Sequence, residues 1–196
     1  MRDIDVRSAL RQQLTLDHLS EPNTLVLDEL GLCGQVRVDV AVINGHLAGY
    51  EIKSEADTLR RLPTQVSIYS EVLDYAHLVV AGRHHDHALP LIPAWWGVHV
   101  AESRSGTVRL TTVRLPRRNR EIVPMSLAQL LWRDEALDEL ALRGADRGVR
   151  TKARWHVWVR LADVLTADEL RGVVRERLKA RQGWRDAPSP RPGGAR

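Results

Sequence analysis

Two carboxylates and one lysine in the first third of the chain have the types and the spacing that could hydrolyse a phosphodiester bond. Asp39 is followed by Glu51 and, two residues later, by Lys53. Carboxylate oxygens are hard ligands that suit Mg²⁺ or Mn²⁺, which complete their coordination with water and substrate phosphate. A lysine on the same face could hold the attacking water and stabilise charge that develops at phosphorus. The set indicates metal-dependent hydrolysis; the alternative is an ordinary sheet face exposed to solvent.

A β-hairpin must position these residues. Apolar residues recur at every second position, 36, 38, 40 and 42, with Arg37 and Asp39 between them. The alternation resumes after Asn44-Gly45, where residues 50 and 52 are apolar and residues 51 and 53 are charged. Period-two alternation on both sides of such a dipeptide is typical of a hairpin with one buried face. The two strands would therefore carry the carboxylates side by side.

Register decides which side chains share a face, because a shift of one residue sends a side chain to the opposite face. A strict two-residue turn would pair Asp39 with Tyr50 and leave Glu51 on the far face. We predict a three-residue loop with Gly45 at positive φ, which brings the four charged residues to one face and keeps apolar pairs together. The expected pairs are Ile43 with Leu47, Ala41 with Gly49, Val40 with Tyr50, Asp39 with Glu51, Val38 with Ile52 and Arg37 with Lys53.

The segment after the hairpin predicts a helix that carries two further polar residues toward the same place. Apolar residues at helical spacing predict a helix that begins near Asp57-Thr58, with Thr58 as its cap. Gln65 and Tyr69 are four residues apart and share a face of this helix. An apolar run at residues 77–82 then predicts a buried strand that returns to the sheet, so the order of elements indicates an α/β fold.

This pattern resembles the PD-(D/E)XK nuclease superfamily, whose core places an Asp on one strand and (D/E)-x-K on the next. Asp39 and Glu51-Ile52-Lys53 match that pattern, and Gln65 with Tyr69 is similar to the Q-x-x-x-Y motif of its RecB-like branch. The resemblance covers residues 24–100 and extends to small, largely uncharacterised bacterial members. It implies a restriction-endonuclease-like core, with a mixed central β-sheet flanked by helices.

The resemblance also implies roles for individual residues. Asp39 and Glu51 would bind Mg²⁺ or Mn²⁺, and Lys53 would position the attacking water. Gln65 and Tyr69 would support the site and contact the substrate. Arg37 is expected at the substrate. Glu29 is expected as a third metal ligand in place of a Glu that relatives carry on the preceding helix, with Asp28 as the less favoured choice. Val38 stands where the motif has proline.

The length of 196 residues predicts one domain of moderate size with an appendage. We expect the nuclease-like core over residues 1–122, a helical lobe over 123–182 that packs on the core or mediates homodimerisation, and a Pro/Gly-rich disordered tail over 183–196. Residues 1–142 carry 15 Lys/Arg and 19 Asp/Glu, a net charge of −4, whereas the remaining residues carry 14 and 6, a net charge of +8. This basic lobe is a candidate for contact with DNA phosphates.

Composition limits the remaining classes of protein. The chain has no apolar run near 18 residues and no signal-peptide pattern, so we expect a cytoplasmic protein without a membrane partner. The single Cys33 excludes an intrachain disulfide, and the histidines at 84, 85 and 87 lack further ligands at zinc spacing. The favoured hypothesis is a Mg²⁺-dependent deoxyribonuclease of DNA repair, restriction or phage defence. The alternative is a non-catalytic nucleic-acid-binding or assembly module that keeps the nuclease fold.

Overall fold

The computed structural model describes residues 1–104 and 106–181. The strands are β1 (Leu25–Leu32), β2 (Val36–Ile43), β3 (Leu47–Lys53), β4 (Tyr75–Ala81), β5 (Gly97–Arg104) and β6 (Thr107–Arg114). The helices are α1 (Asp3–Asp17), α2 (Leu62–Val72), α3 (His85–Ala88), α4 (Pro124–Ala128), α5 (Arg133–Leu142), α6 (Arg154–Val164) and α7 (Ala167–Ala180). Short 3-10 turns, Gly82–His84 and Leu89–Leu91, flank α3.

The strands form one mixed sheet in the order β1-β2-β3-β4-β5-β6. The β1–β2, β2–β3 and β5–β6 pairs are antiparallel, whereas β3–β4 and β4–β5 are parallel. Because parallel neighbours need a crossover connection, α2 links β3 to β4 across one face of the sheet. This arrangement confirms the predicted α/β class, while the restriction-endonuclease-like arrangement within that class stays a prediction.

The hairpin between β2 and β3 has the longer loop that the sequence predicts. Ile43 pairs with Leu47 and Ala41 pairs with Gly49, which leaves residues 44–46 as a three-residue loop. The prediction of a positive φ at Gly45 is wrong. Instead, the Asn44 side chain accepts a hydrogen bond from the His46 amide at 3.0 Å and so closes the loop.

The apolar face of β2 changes sides at Asp39. Val40 lies in the cluster that packs under α1, whereas Val38 lies in the larger cluster on the α2 side, although residues two apart on a regular strand share a face. Glu29 of β1, opposite Asp39 in the β1–β2 register, has a φ of 56°. At this irregularity the side chains of both strands change face. The expected packing of Val38 on Ile52 is therefore wrong, because the two side chains lie in clusters on opposite faces of the sheet.

The helix that carries Gln65 begins later than the sequence predicts. It starts at Leu62 with Arg61 as the N-cap residue, so Thr58 caps nothing. Pro63 lies in the first turn, where its missing N–H costs no hydrogen bond. An earlier start would have placed the proline ring against a carbonyl of the preceding turn, which explains the shift.

Helices cover both faces of the sheet. On one face α1 buries Val6, Leu10 and Leu14 against the sheet. On the other face α2 and the C-terminal helices α4–α7 share one continuous apolar cluster with the sheet. Helices therefore occupy the predicted lobe, and they pack directly on the α2 side of the core. The predicted disordered tail, 183–196, lies outside the described residues.

Candidate functional site

A buried hydrogen-bonded cluster surrounds the carboxylate of Glu51 on β3. Its Oε1 accepts hydrogen bonds from Lys53 Nζ at 2.5 Å and from Gln65 Nε2 at 2.6 Å. Its Oε2 accepts one from the Tyr69 hydroxyl at 2.5 Å. Lys53 Nζ also donates to Gln65 Oε1 at 3.1 Å, so the four side chains form a closed network, here called the Glu51 cluster.

The elements that hold this cluster follow the predicted spacing. Glu51 and Lys53 are two residues apart on β3 and point to the same face, where α2 packs. Gln65 and Tyr69 are four residues apart on α2 and meet them there. Only 1% of Glu51 and 3% of Lys53 is exposed. Tyr69 is held from behind by the Trp96 ring, which stacks on it with a centroid distance of 5.6 Å.

Asp39 lies beside the cluster but is held by different partners. Its Oδ2 accepts a hydrogen bond from the Ile52 backbone amide at 2.8 Å, and its Oδ1 accepts one from Arg7 at 3.1 Å. Arg7 also donates to the Asp39 carbonyl oxygen at 2.6 Å. The pairing of β2 with β3 ends at Val40 and Tyr50. Just beyond that point, the Asp39 side chain accepts the hydrogen bond of a β3 backbone amide in place of a β2 carbonyl oxygen.

The sequence reasoning missed Arg7 because it did not identify α1. The signal was present: Val6, Leu10 and Leu14 recur every four residues, as on an amphipathic helix. The same helix brings Asp3 to the site, where it forms an ion pair with Arg7 at 3.2 Å. An acidic residue of the preceding helix thus lies near Asp39, but it is not the one that the resemblance implied.

Glu29 does not occupy the place predicted for it. It lies on strand β1 rather than on a helix, and its carboxylate forms an ion pair with Arg37 at 2.9 Å at the exposed rim of the site. Asp28, the other choice, bonds to Arg11 of α1 at 2.7 Å. Within residues 1–104 and 106–181, no three Asp, Glu, His or Cys side chains are grouped as a metal site. The structure brings together Asp39 and Glu51, whereas Glu29, at the rim of the same cleft, pairs with Arg37 instead.

Burial dominates the proton affinities of these groups. It raises the pKa of Glu51, the negative charge of Asp39 raises it further, and Lys53 opposes both effects. Burial also raises the pKa of Asp39, opposed by the hydrogen bond from the Ile52 amide and by the charge of Arg7. The pKa of the Tyr69 hydroxyl is raised by burial and by the adjacent Glu51 carboxylate, so this hydroxyl remains a donor.

The hydrogen bonds can accommodate Glu51 in either protonation state. The Tyr69 hydroxyl lies 2.9 Å from the Arg37 carbonyl oxygen as well as 2.5 Å from Glu51 Oε2. When Glu51 is ionised, the hydroxyl donates to its carboxylate. When Glu51 Oε2 carries a proton, it can donate that proton to the Tyr69 hydroxyl oxygen, while the Tyr69 hydroxyl donates to the Arg37 carbonyl oxygen. The site can therefore hold one proton without leaving a buried polar atom unpaired.

The Glu51 cluster lies at an open cleft with a volume of about 750 Å³. Asp39, Glu51 and Lys53 line it together with residues of α2 and of the C-terminal helices. Trp132, immediately before α5, also lines the cleft, and the Arg181 guanidinium lies over its ring at 4.4 Å from the centroid. The cleft therefore exposes part of the Asp39 side chain, while Glu51 and Lys53 are buried at its surface, and its lining includes an aromatic and a basic side chain.

The two carboxylates keep acceptor positions that a divalent cation could use. A carboxylate offers about four acceptor positions. Protein donors take three of them at Glu51, from Lys53, Gln65 and Tyr69, and two at Asp39. Unused oxygen positions remain on both carboxylates, and oxygen ligands are those that Mg²⁺ and Mn²⁺ prefer. The residues fit such a cation, which would share them with Lys53 and Arg7.

Fold and site together define an α/β protein with a buried, polar, charge-balanced cluster at an accessible cleft. The chain belongs to the family described as Bacteriophage P4 protein cII, whose sequence model matches residues 2–187. One curated relative, protein cII of Enterobacteria phage P4, is 26% identical over 114 residues, which are 58% of this chain and 43% of that protein. The alignment thus spans less than half of the relative's length.

The chain also has a weak structural match to a solved protein. It is a protein of unknown function from Silicibacter pomeroyi, with a TM-score of 0.41 and 19% sequence identity, and the match covers 77% of this chain and all of that one. Separately, no helix in the described part of the chain has the length and apolar character needed to cross a membrane.

Proposed function

We propose that the protein is a metal-dependent nuclease that hydrolyses DNA phosphodiester bonds, with a core of the restriction-endonuclease-like type. The observation that carries the proposal is the buried Glu51–Lys53 pair, fixed by Gln65 and Tyr69 at the floor of an open cleft. Desolvating two charges is costly, and well-packed apolar residues in their place are often as stable or more so. A buried, hydrogen-bonded charge pair at a cleft is therefore a candidate for function.

The topology supports the same proposal. Asp39 lies on β2, Glu51 and Lys53 lie on the next strand, and α2 brings the Q-x-x-x-Y residues across to them. These are the relative positions that the resemblance to PD-(D/E)XK nucleases implies. The proposal extends to a role in DNA repair, restriction or phage defence, which the site chemistry alone does not distinguish.

In the proposed mechanism each residue has one task. Asp39 and Glu51 would hold a Mg²⁺ or Mn²⁺ ion, which supplies charge neutralisation at the scissile phosphate when it is bound. Lys53 uses two of its three N–H donors on Glu51 and Gln65, and the third is available to hold the attacking water or a phosphate oxygen. Gln65 and Tyr69 keep the Glu51 carboxylate in one orientation. Arg37, at the rim, would contact the substrate backbone.

Loss of the carboxylates should abolish cleavage. The full chain is incubated with labelled single-stranded, duplex and branched DNA in Mg²⁺ or Mn²⁺. We expect cleavage of at least one form, lost in EDTA and reduced on the order of 100-fold by Asp39→Asn or Glu51→Gln, because each removes charge stabilisation from the transition state.

Glu139 provides the matched control. It is another nearly buried glutamate, held by Arg143 and Arg177 between α5 and α7, and it is outside the cleft. Glu139→Gln should leave the cleavage rate unchanged even if it lowers the unfolding temperature. Cleavage that survives Asp39→Asn and Glu51→Gln, or absence of cleavage under every condition, would overturn the proposal.

One observation favours a second candidate, a non-catalytic nucleic-acid-binding module. Arg7 and Lys53 already balance the charges of Asp39 and Glu51, so the carboxylates require no cation for stability. In that case DNA binding persists in EDTA, no DNA form is cleaved, and the Glu51 cluster serves only to join α2 to the sheet. The cleavage assay separates the two candidates.

A further inference from the structure

The C-terminal part of the chain, residues 143–196, carries a net charge of +8, yet ion pairs neutralise much of its positive charge. Within the described residues, seven Lys/Arg side chains after position 142 lie within 4.0 Å of a carboxylate. They are Arg143, Arg150, Arg171, Arg175, Arg177, Lys179 and Arg181. Fewer basic side chains of the lobe are therefore available to a polyanion than its net charge indicates.

The charge without carboxylate partners is concentrated in one segment. Residues 147–160 contain five Lys/Arg and no Asp or Glu. Of these five only Arg150 has a carboxylate partner among the described residues, Asp146. Five exposed basic and aromatic residues of the segment are here called the α6 face: Lys152, Arg154, Trp155, His156 and Arg160.

Trp155 is not needed for the core. The helix α6 buries Val157, Trp158 and Leu161 toward its neighbours, and the Trp158 indole donates to the Leu131 carbonyl oxygen at 3.0 Å. Trp155, by contrast, is 54% exposed. Its chain neighbour Arg154, also exposed, lies over the Trp158 ring at 5.2 Å from the centroid.

The α6 face is joined to the candidate cleft through α5. Trp132 lines the cleft, and the next residue, Arg133, donates to the carbonyl oxygens of Arg150 at 2.5 Å and Lys152 at 3.2 Å. Arg133 thereby fastens the segment before α6 to the start of α5. Carboxylates on or next to these elements include Asp134, paired with Arg133, Asp146, paired with Arg150, and Asp163, three residues after Arg160.

We propose that the α6 face binds single-stranded DNA, with Trp155 stacked on a base and Lys152, Arg154 and Arg160 on the flanking phosphates. Exposed aromatic rings among cations bind unpaired strands in this way, because every base has a face to stack on. A duplex hides its base faces and offers phosphates and the base edges in its grooves instead. The inference rests on the proposed function for its ligand class, DNA, and adds the strand form and the surface that binds it.

Binding is measured by fluorescence anisotropy with a labelled single strand of about 20 nucleotides, in EDTA, so that the result does not depend on cleavage. The triple variant Lys152→Ala/Arg154→Ala/Arg160→Ala should weaken binding at least tenfold and lower the slope of log affinity against log salt by about 2, near 0.7 for each phosphate contact. Trp155→Ala should weaken it at least fivefold, and Trp155→Phe should restore most of that loss.

A charge-matched control removes Arg83, Arg109 and Arg120, which lie outside the C-terminal helices. Arg83→Ala/Arg109→Ala/Arg120→Ala should change affinity less than threefold, and a duplex of the same sequence should be insensitive to Trp155→Ala. Equal losses in the two triple variants, or full binding by Trp155→Ala, would overturn the inference. Either result would leave the proposed nuclease activity standing, because cleavage is measured in a separate assay. Protein that binds single-stranded DNA through the α6 face but cleaves no DNA would contradict only the proposed nuclease activity.

Discussion

At the scale of single residues, the candidate site depends on two cations that balance two carboxylates. The sequence predicted Lys53 from its spacing after Glu51, and the structure brings them within 2.5 Å. Arg7 was missed, although it supplies the partner of Asp39 from 32 residues away in the chain. Local spacing can predict contacts along one strand or one helix turn, whereas a contact from another element depends on how that element packs.

Arg7 should therefore act as a positioning residue with a measurable effect on proton affinity. Its charge opposes the increase in the Asp39 pKa that burial causes. Arg7→Ala should raise that pKa further, so the acid limb of the pH–rate profile of cleavage should move to higher pH. Arg11→Ala is the control, since Arg11 contacts Asp28 and not Asp39. An acid limb that does not move in Arg7→Ala would contradict this role.

At the scale of elements, alternation predicted the β2–β3 hairpin and its three-residue loop, because register follows directly from side-chain period. It did not predict the reversal of the apolar face at Asp39. That reversal accompanies a positive φ at Glu29, and glutamate rarely adopts a positive φ. The residue pattern of the two strands gives no signal of the reversal.

The opposite face of the sheet carries a second polar group. His77 on β4 hydrogen-bonds to His99 on β5 at 3.0 Å, and the Tyr50 ring stacks on it at 4.2 Å. Burial, together with the charge of His99, lowers the pKa of His77 from 6.5 to about 3. The folded protein therefore resists protonation of His77 at pH values where the unfolded chain accepts a proton.

This buried histidine should make the protein less stable in acid. Between pH 6.5 and about 3 the unfolded state binds the extra proton, so the free energy of unfolding falls as the pH falls. From pH 7 to pH 5 the loss should be about 2 kcal/mol, at 1.36 kcal/mol per unit. His77→Gln should remove that part of the pH dependence in urea unfolding, whereas His156→Gln on the exposed surface should not. An unchanged pH dependence in His77→Gln would refute the assignment.

At the scale of the whole molecule, a cluster of buried charges lies between a mixed sheet and helices on the α2 side. The sequence predicted the α/β class and the C-terminal helices, since capping residues and apolar periodicity are local signals. It did not predict which arginines of these helices remain without carboxylate partners. That depends on tertiary ion pairs such as Arg171 with Asp74, whose members are 97 positions apart.

The most direct test of the central claim separates chemistry from binding at Lys53. Single-turnover cleavage of saturating labelled DNA in Mn²⁺ is compared for the wild-type protein and for Lys53→Met, with DNA affinity measured in parallel. The account predicts an affinity within threefold of wild type and a cleavage rate lower on the order of 100-fold, because Lys53 acts on the reacting groups. Equal cleavage rates for the two proteins, or a wild-type protein that binds DNA but never cleaves it, would contradict the account.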